Sequence, residues 1–524
     1  MLKKGKTRML SLALTAAMTV GCMAGCGSSS SSATATSAAA SSTAAAGAAS
    51  SASAGASATA GKLDTSKEVD LVMYVVSDRP AGQDVVDENL NKLLKEKLNC
   101  TLKINWIGWA EYANKYPLLF SSGEQFDMAY SATWLNFANL ARKGAFKSLN
   151  DLWPTYAPDN FAMQSDAAKQ QATIDGQYYC VPTLLSTYTA YGPMYRPDLA
   201  GSDWDGKMET FDDIEKYCDS VKAAHPEVEP IDMYSSGPET FLLWEENKGM
   251  EYVDNGARFM WYDTSAANPK VIASYDEPTV TDFLTMMDRW CQKGFWSMSA
   301  LSDTDSTKTQ NGKAALKIHN IDTWAGLTVQ QPTWNFKYAN MVKDVAHLPY
   351  TQDCMVISNT SQNPERAMAL WNLLTTDQEV YDAFYYGVLG TTYTLNDSGQ
   401  FTITDPNLYS TSAMWAVRTN KLNRNQAGVP EEYNTVRQDW ESKIKAGQGA
   451  EKYTSFVFDS TNVTTELAAC QNVEQQYWWP LALGYTDATS GLADYKAKMQ
   501  AAGIDKVVAE AQKQLDAYVA AQGK

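Results

Sequence analysis

Histidine is scarce in this chain: three residues, His225, His319 and His347, in 524. They stand far apart, and no HExxH pattern links two of them, so a zinc-hydrolase site is not encoded locally. GxSxG is absent. The nearest approach to a phosphate-binding loop, GASATAGKL at 55–63, has the wrong spacing and no Ser or Thr after its Lys. No DxDxDG-type loop is present, so no Ca²⁺ site is expected, and the chain reads as one without metal or cofactor. No apolar run approaches the roughly 20 residues needed to cross a bilayer. Basic residues are outnumbered, 43 Lys and Arg against 60 Asp and Glu, for a net charge of −17. That balance excludes nucleic acid as a partner through basic patches. It leaves open a glycoside-hydrolase pair, which needs only two carboxyls about 5–9.5 Å apart.

Cysteine is also sparse, and its placement is informative. Residues 1–8 carry Lys3, Lys4, Lys6 and Arg8 with no acid, and residues 9–20 (MLSLALTAAMTV) are apolar or small. This is the layout of a secretory leader. Met23-Ala24-Gly25-Cys26 resembles a bacterial lipobox, which assigns 1–25 to the signal and Cys26 to the lipidated first residue; Cys22, preceded by Thr19-Val20-Gly21, fits less well. Residues 27–61 contain only Gly, Ser, Ala and Thr. Such a segment buries too little to offset its ordering entropy and reads as a tether, with a root-mean-square span of about 33 Å. The other six cysteines, Cys100, Cys180, Cys218, Cys291, Cys354 and Cys470, show no CxxC spacing. They read as buried thiols, with one disulfide left open by the exported location.

Beyond the tether, apolar periodicity alternates between two and 3.6. VDLVMYVV (69–76) reads as a buried strand. DVVDENLNKLLKEKL reads as a helix capped by Asp84, with Val86, Leu90, Leu93, Leu94 and Leu98 on one face. TLKINWIGW and FDMAYSA read as further strands separated by a helix, which is the β-α-β order of a parallel sheet. Helices are expected at TFDDIEKYCDSVKAA, at EPTVTDFLTMMDRWCQKG and after Asn363-Pro364, and a strand at AALKIHNI.

Several ordered stretches resemble the extracellular solute-binding proteins of ABC importers, family 1, the class of maltose- and oligosaccharide-binding proteins. They are ARKGAFKSLNDLW, YYCVPTLLSTYTAYGPMYRPDLA, GKAALKIHNIDTW and DCMVISNTSQNPERAMALWNLL. At the C-terminus, LAACQNVEQQYWWPLALGYTD and LADYKAKMQAAGIDKVVAEAQKQLDAY resemble the domain of unknown function that marks a LipO-like lipoprotein subgroup. The resemblance implies an α/β, two-lobed, class II periplasmic-binding-protein-like fold. Each lobe would hold a mainly parallel sheet flanked by helices, joined by a hinge of crossing strands and followed by a C-terminal helical segment. It divides the chain into a first lobe at 62–184, a second at 185–320, a return to the first at 321–380, and a final 381–524 in the second lobe and C-terminal domain. Residues 504–518 carry an apolar face, Ile504, Val507, Val508, Ala511, Leu515 and Tyr518, which reads as packing on a lobe.

Ligands of such sheets sit beyond the C-terminal ends of the strands. Asp78 and Arg79 follow the first strand, Trp109 the second, and Ser131 and Trp134 the third. Tyr188 lies near the first crossing, and Asn320, Asp322 and Trp324 near the second. Trp and Tyr, 16 and 28 residues, outnumber the 15 Phe. That bias suits sugar, whose C–H faces stack on rings while its hydroxyls bond to polar tips. The expectation is a non-enzymatic, monomeric, lipid-anchored protein at the cell surface. It would close on a carbohydrate by hinge motion and deliver it to a membrane permease. A peptide or amino-sugar binder, a surface glycan hydrolase and a purely structural lipoprotein are the alternatives.

Overall fold

The computed structural model describes residues 63–522 apart from 110, 235–238 and 255. The leader, Cys26 and the tether lie outside the described residues. Among the described residues no helix is long and apolar enough to cross a membrane.

β1 (Val69–Val76) buries Leu71, Met73 and Val75 on its inward face. It pairs in parallel over its full length with β2 (Cys100–Ile107), Val69 opposite Cys100 and Val76 opposite Ile107. The intervening α1 (Gln83–Leu98) packs Val86, Leu90, Leu94 and Leu98 inward, a stripe at spacing four. Its N-terminus differs from the expected cap at Asp84. The cap falls two residues earlier, at Gly82, and Asp84 lies in the first turn, where the helix dipole favours a carboxylate.

β3 (Met128–Ser131) and β4 (Val181–Pro182) complete the first pass through lobe one. The chain then builds β5 (Tyr191–Tyr195), α2 (Phe211–Ala224), β6 (Glu229–Ile231), α3 (Val280–Gln292), β7 (Ala314–Asn320) and β8 (Lys337–Tyr338), and returns as β9 (Cys354–Ile357). The first sheet has the order β2-β1-β3-β9-β4, with β9 antiparallel to both neighbours. The second has the order β8-β5-β7-β6, and only β7–β6 is parallel. The mainly parallel sheet expected there is therefore mixed. β5 leaves the hinge and β7 runs back to it, so Tyr191 and Asn320 end up opposite one another at the hinge end.

Two hydrophobic cores result. One takes residues from Leu71 to Val181 and from Cys354 to Leu422. The other takes Ala190 to Val342 and Trp440 to Leu515. The expected return to lobe one at 321 is corrected: the segment after β7 stays in the second core, where α4 (Ile321–Gln330) buries Ile321, Trp324 and Leu327. A helix that leaves a strand directly folds back on that strand's own sheet. Lobe one resumes at Cys354 and keeps the chain to Leu422, so 381–422 belongs there and not to lobe two. Within it α5 (Pro364–Thr376) starts on Pro364, whose missing N–H costs nothing at that position.

Crossing segments pair at the hinge. Leu184 bridges Thr419, and Tyr188 bridges His347. Thr189 N donates to Ala346 O at 2.9 Å, and Leu348 N to Thr187 O at 2.9 Å. Past them come α6 (Glu431–Lys443), α7 (Thr464–Val473), α8 (Ala488–Ala502) and α9 (Ile504–Gln522). α9 buries Ile504, Val507, Ala511 and Leu515 in the second core. Cysteines 100, 180, 218, 291, 354 and 470 are all buried and unbridged.

Candidate functional site

Three adjoining cavities form a trough between the two cores. One of about 430 Å³ lies at the hinge. Leu348 and Gln352 line both it and a smaller cavity. Thr133, Asn136 and Asp254 carry that cavity into a third, of about 490 Å³.

Aromatic rings stand on the lobe-one side. Trp109 is 42% exposed, large for a tryptophan. Its ring lies 5.7 Å from Tyr112 and 5.9 Å from Trp134, and Trp134 lies 5.2 Å from the buried Trp415. Trp415 is fixed by its indole N–H, which donates to Val76 O at 2.8 Å. Asp78 holds the outermost ring in place, its Oδ1 accepting from Trp109 N at 3.2 Å. A Cβ on Gly108 would lie 2.8 Å from that oxygen, so only glycine allows this approach.

Tyr188, Asn320 and Asp322 come together at the hinge cavity, as the strand-end rule expects. Asn320 Oδ1 caps α4 by accepting from Thr323 N at 2.9 Å. Asp322 accepts from Tyr433 OH at 2.6 Å and from Arg437 Nη1 at 3.2 Å. The Arg437 guanidinium lies 5.2 Å from the Tyr188 ring, and Tyr188 OH donates to Glu441 at 3.0 Å. Burial pushes the Tyr188 phenol up to about 12, so it stays a donor across the physiological range. His319, behind this cavity, is held down to about 4 by burial and by Lys317, and is a neutral imidazole.

Three candidates are corrected. Ser131 is wholly buried inside the sheet, opposite Cys354. Trp324 is also wholly buried, its indole N–H donating to Phe336 O at 3.2 Å, because α4 turns it onto the second sheet. Arg79 is drawn aside to α1, pairing with Asp84 at 2.5 Å and lying 3.9 Å from Asp87.

Sequence reasoning missed Arg418, Asp353, Arg437 and Trp440, all at the hinge cavity. Arg418 Nη2 pairs with Asp353 Oδ2 at 2.7 Å, and its Nε donates to Trp415 O at 2.8 Å. Burial raises the Asp353 carboxyl although Arg418 opposes it. The opposite wall, also missed, carries Glu251, which burial pushes up to about 7, and Asp254, raised for the same reason. None of these residues stands at a strand end that local periodicity marks. Among the described residues no group of three His, Cys, Asp or Glu side chains is placed to hold a metal.

Two lobes, three crossings and a trough lined by rings and polar tips define a hinged binding protein. Residues 90–409 match the family described as bacterial extracellular solute-binding protein, and the chain belongs to that family. Residues 452–520 match a domain of unknown function, DUF3502. A carbohydrate ABC transporter substrate-binding protein of Streptococcus pneumoniae serotype 4 (strain ATCC BAA-334 / TIGR4) is 25% identical over 481 residues, covering 87% of this chain and 92% of the relative. The N-glycan transport solute binding protein NgtS of S. pneumoniae, in complex with Man1GlcNAc, superposes with a TM-score of 0.74 at 21% identity, covering 86% of this chain and 99% of that one. The S. pneumoniae substrate-binding protein FusA with kestose gives 0.60 at 15% identity, covering 86% and 99%. At these identities the two structures establish a shared fold.

Proposed function

We propose that this protein is the ligand-capturing component of an ABC importer and that its cargo is an oligosaccharide. The observation that carries this reading is the half-exposed ring platform of Trp109, Tyr112 and Trp134 beside a trough of Asn, Asp, Arg and Tyr tips. Apolar ring faces and hydroxyl partners together match the two surfaces of a pyranose. The carbohydrate-transport relative supports the same class of ligand. In this reading Cys26 carries the lipid, residues 27–61 tether a monomeric body to the outer face of the membrane, and the lobes close about the hinge before docking on a permease.

The role proposed is binding without turnover, in keeping with the substrate-binding role of the carbohydrate-transport relative.

A thermal-shift screen of the protein against mono- and oligosaccharides, amino acids and short peptides tests this. A native-state ligand at a hundred times its Kd adds about 2.7 kcal/mol of stability. A shift with one sugar class, and the sugar recovered intact, is the expected result. A shift with peptides alone, or cleavage of the sugar, would overturn it.

A further inference from the structure

We infer that the C-terminal domain of unknown function forms a wall of the ligand trough, and that the cavity it encloses is a distal subsite for further residues of a neutral oligosaccharide. This rests on the carbohydrate reading above and extends it to a part of the chain with no assigned role. The domain spans 452–520. Part of it, α9, packs on the second core. Its other end, α7 and the turn before it, packs on the same core through Val463 and Cys470 and leaves Thr461, Thr464, Ala468 and Gln471 to line the cavity of about 490 Å³. Facing them from lobe one are Trp134, Asn136 and Asn139. Trp134 also belongs to the ring platform, so the cavity continues the ring surface already described.

The chemistry of the two walls selects the ligand. Hydroxyls and primary amides face one another, and such groups both donate and accept, as sugar hydroxyls and N-acetyl groups require. Charges at the rim are mixed, Arg142 and Lys143 against Asp254 in the lining, with Asp459 and Asp175 beside Arg142, so the cations there are matched by acids. Arg142 is charge-compensated, its Nε 3.5 Å from Asp459 and 3.6 Å from Asp175, although its buried Nε and Nη1 make no hydrogen bond. The volume falls in the range of small-molecule sites, about 300–1,000 Å³. The domain also touches lobe one directly: Gln171 Nε2 donates to Ser455 Oγ at 3.0 Å, and Arg142 reaches Asp459 across the same edge. These contacts hold the wall beside the trough.

Ala468 provides the test, because it is exposed on α7 and lines the cavity. Ala468→Trp fills the distal space without touching the core, and Ala468→Ser is the conservative control. Affinities for a ladder of neutral oligosaccharides, including Man1GlcNAc and Man5GlcNAc, are measured by calorimetry on the full-length protein and both variants. The expected result is that longer sugars bind the wild type more tightly than shorter ones. Ala468→Trp then loses at least tenfold on the long sugars, keeps the short ones and keeps its melting temperature, and Ala468→Ser behaves as wild type. Equal loss on short and long sugars, or no loss on either, would overturn the distal subsite while leaving the carbohydrate reading intact. If no neutral sugar binds the wild type, the carbohydrate reading fails first and the subsite falls with it.

Discussion

Replacing Arg418 tests whether the ion pair at the hinge cavity holds the first lobe's returning segment. Arg418 Nη2 lies 2.7 Å from Asp353 Oδ2, with the two side chains only 21% and 11% exposed. Removing one partner of a buried pair leaves a desolvated charge, which costs about 3–5 kcal/mol. Arg418 keeps partial access to water, so Arg418→Met is expected at the low end, about 3 kcal/mol at neutral pH, and Asp353→Asn similarly. The double variant should cost far less than the sum, because neither charge is then left alone. A coupling of at least about 1.5 kcal/mol is expected from urea unfolding of the four proteins. The pH dependence has a definite sign. Burial already raises the Asp353 carboxyl, and Arg418 opposes that rise. Without Arg418 the folded state binds this proton still more tightly than the unfolded state. The deficit of Arg418→Met should therefore shrink as pH falls and grow as pH rises through the folded pKa. Additive single costs within about 0.5 kcal/mol, or a deficit independent of pH, would refute the reasoning.

The two kinds of tryptophan should separate cleanly. Trp324→Ala empties a fully buried site and should lose about 3–5 kcal/mol of stability, whereas Trp109→Ala should leave the melting temperature nearly unchanged and weaken sugar binding by about 0.5–1.5 kcal/mol, read by calorimetry. His347 sits between Glu451 at 2.9 Å and Glu441 at 3.1 Å, and the hydrogen bond to Glu451 holds its imidazole above the ordinary value. Its contribution is thus present below about pH 6.5 and lost as pH rises through the higher folded value, so His347→Gln should flatten the stability profile on that alkaline side. Cys26→Ser should release the protein from the membrane fraction without changing ligand affinity, measured by fractionation and thermal shift.

Much of the local structure was legible without coordinates. Apolar spacing marked β1, β2 and α1, because burial of one face imposes period two or 3.6 whatever the fold. The same spacing marked the inward face of α9. Strand-end reasoning brought Asp78, Trp109, Trp134, Tyr188, Asn320 and Asp322 to the trough or its edge. It failed where orientation mattered. Ser131 points into the sheet, Trp324 rides a helix that turns inward, and Arg79 finds a nearer acid. A sequence shows that a tryptophan follows a strand, but the side on which its ring lies depends on how the next element packs.

The sequence by itself determined the basic-then-apolar pattern of residues 1–20, the Gly/Ser/Ala/Thr composition of 27–61, the β-α-β order and the aromatic bias, since each is read from neighbouring residues. Only the tertiary structure decided where the lobes exchange the chain, at 354 and 422, because that depends on which core a helix covers. It alone brought Arg418 to Asp353, 65 residues apart, and set α7 across the trough from Trp134. Contacts between segments so distant leave no periodicity in the sequence, because they depend on how the whole chain packs.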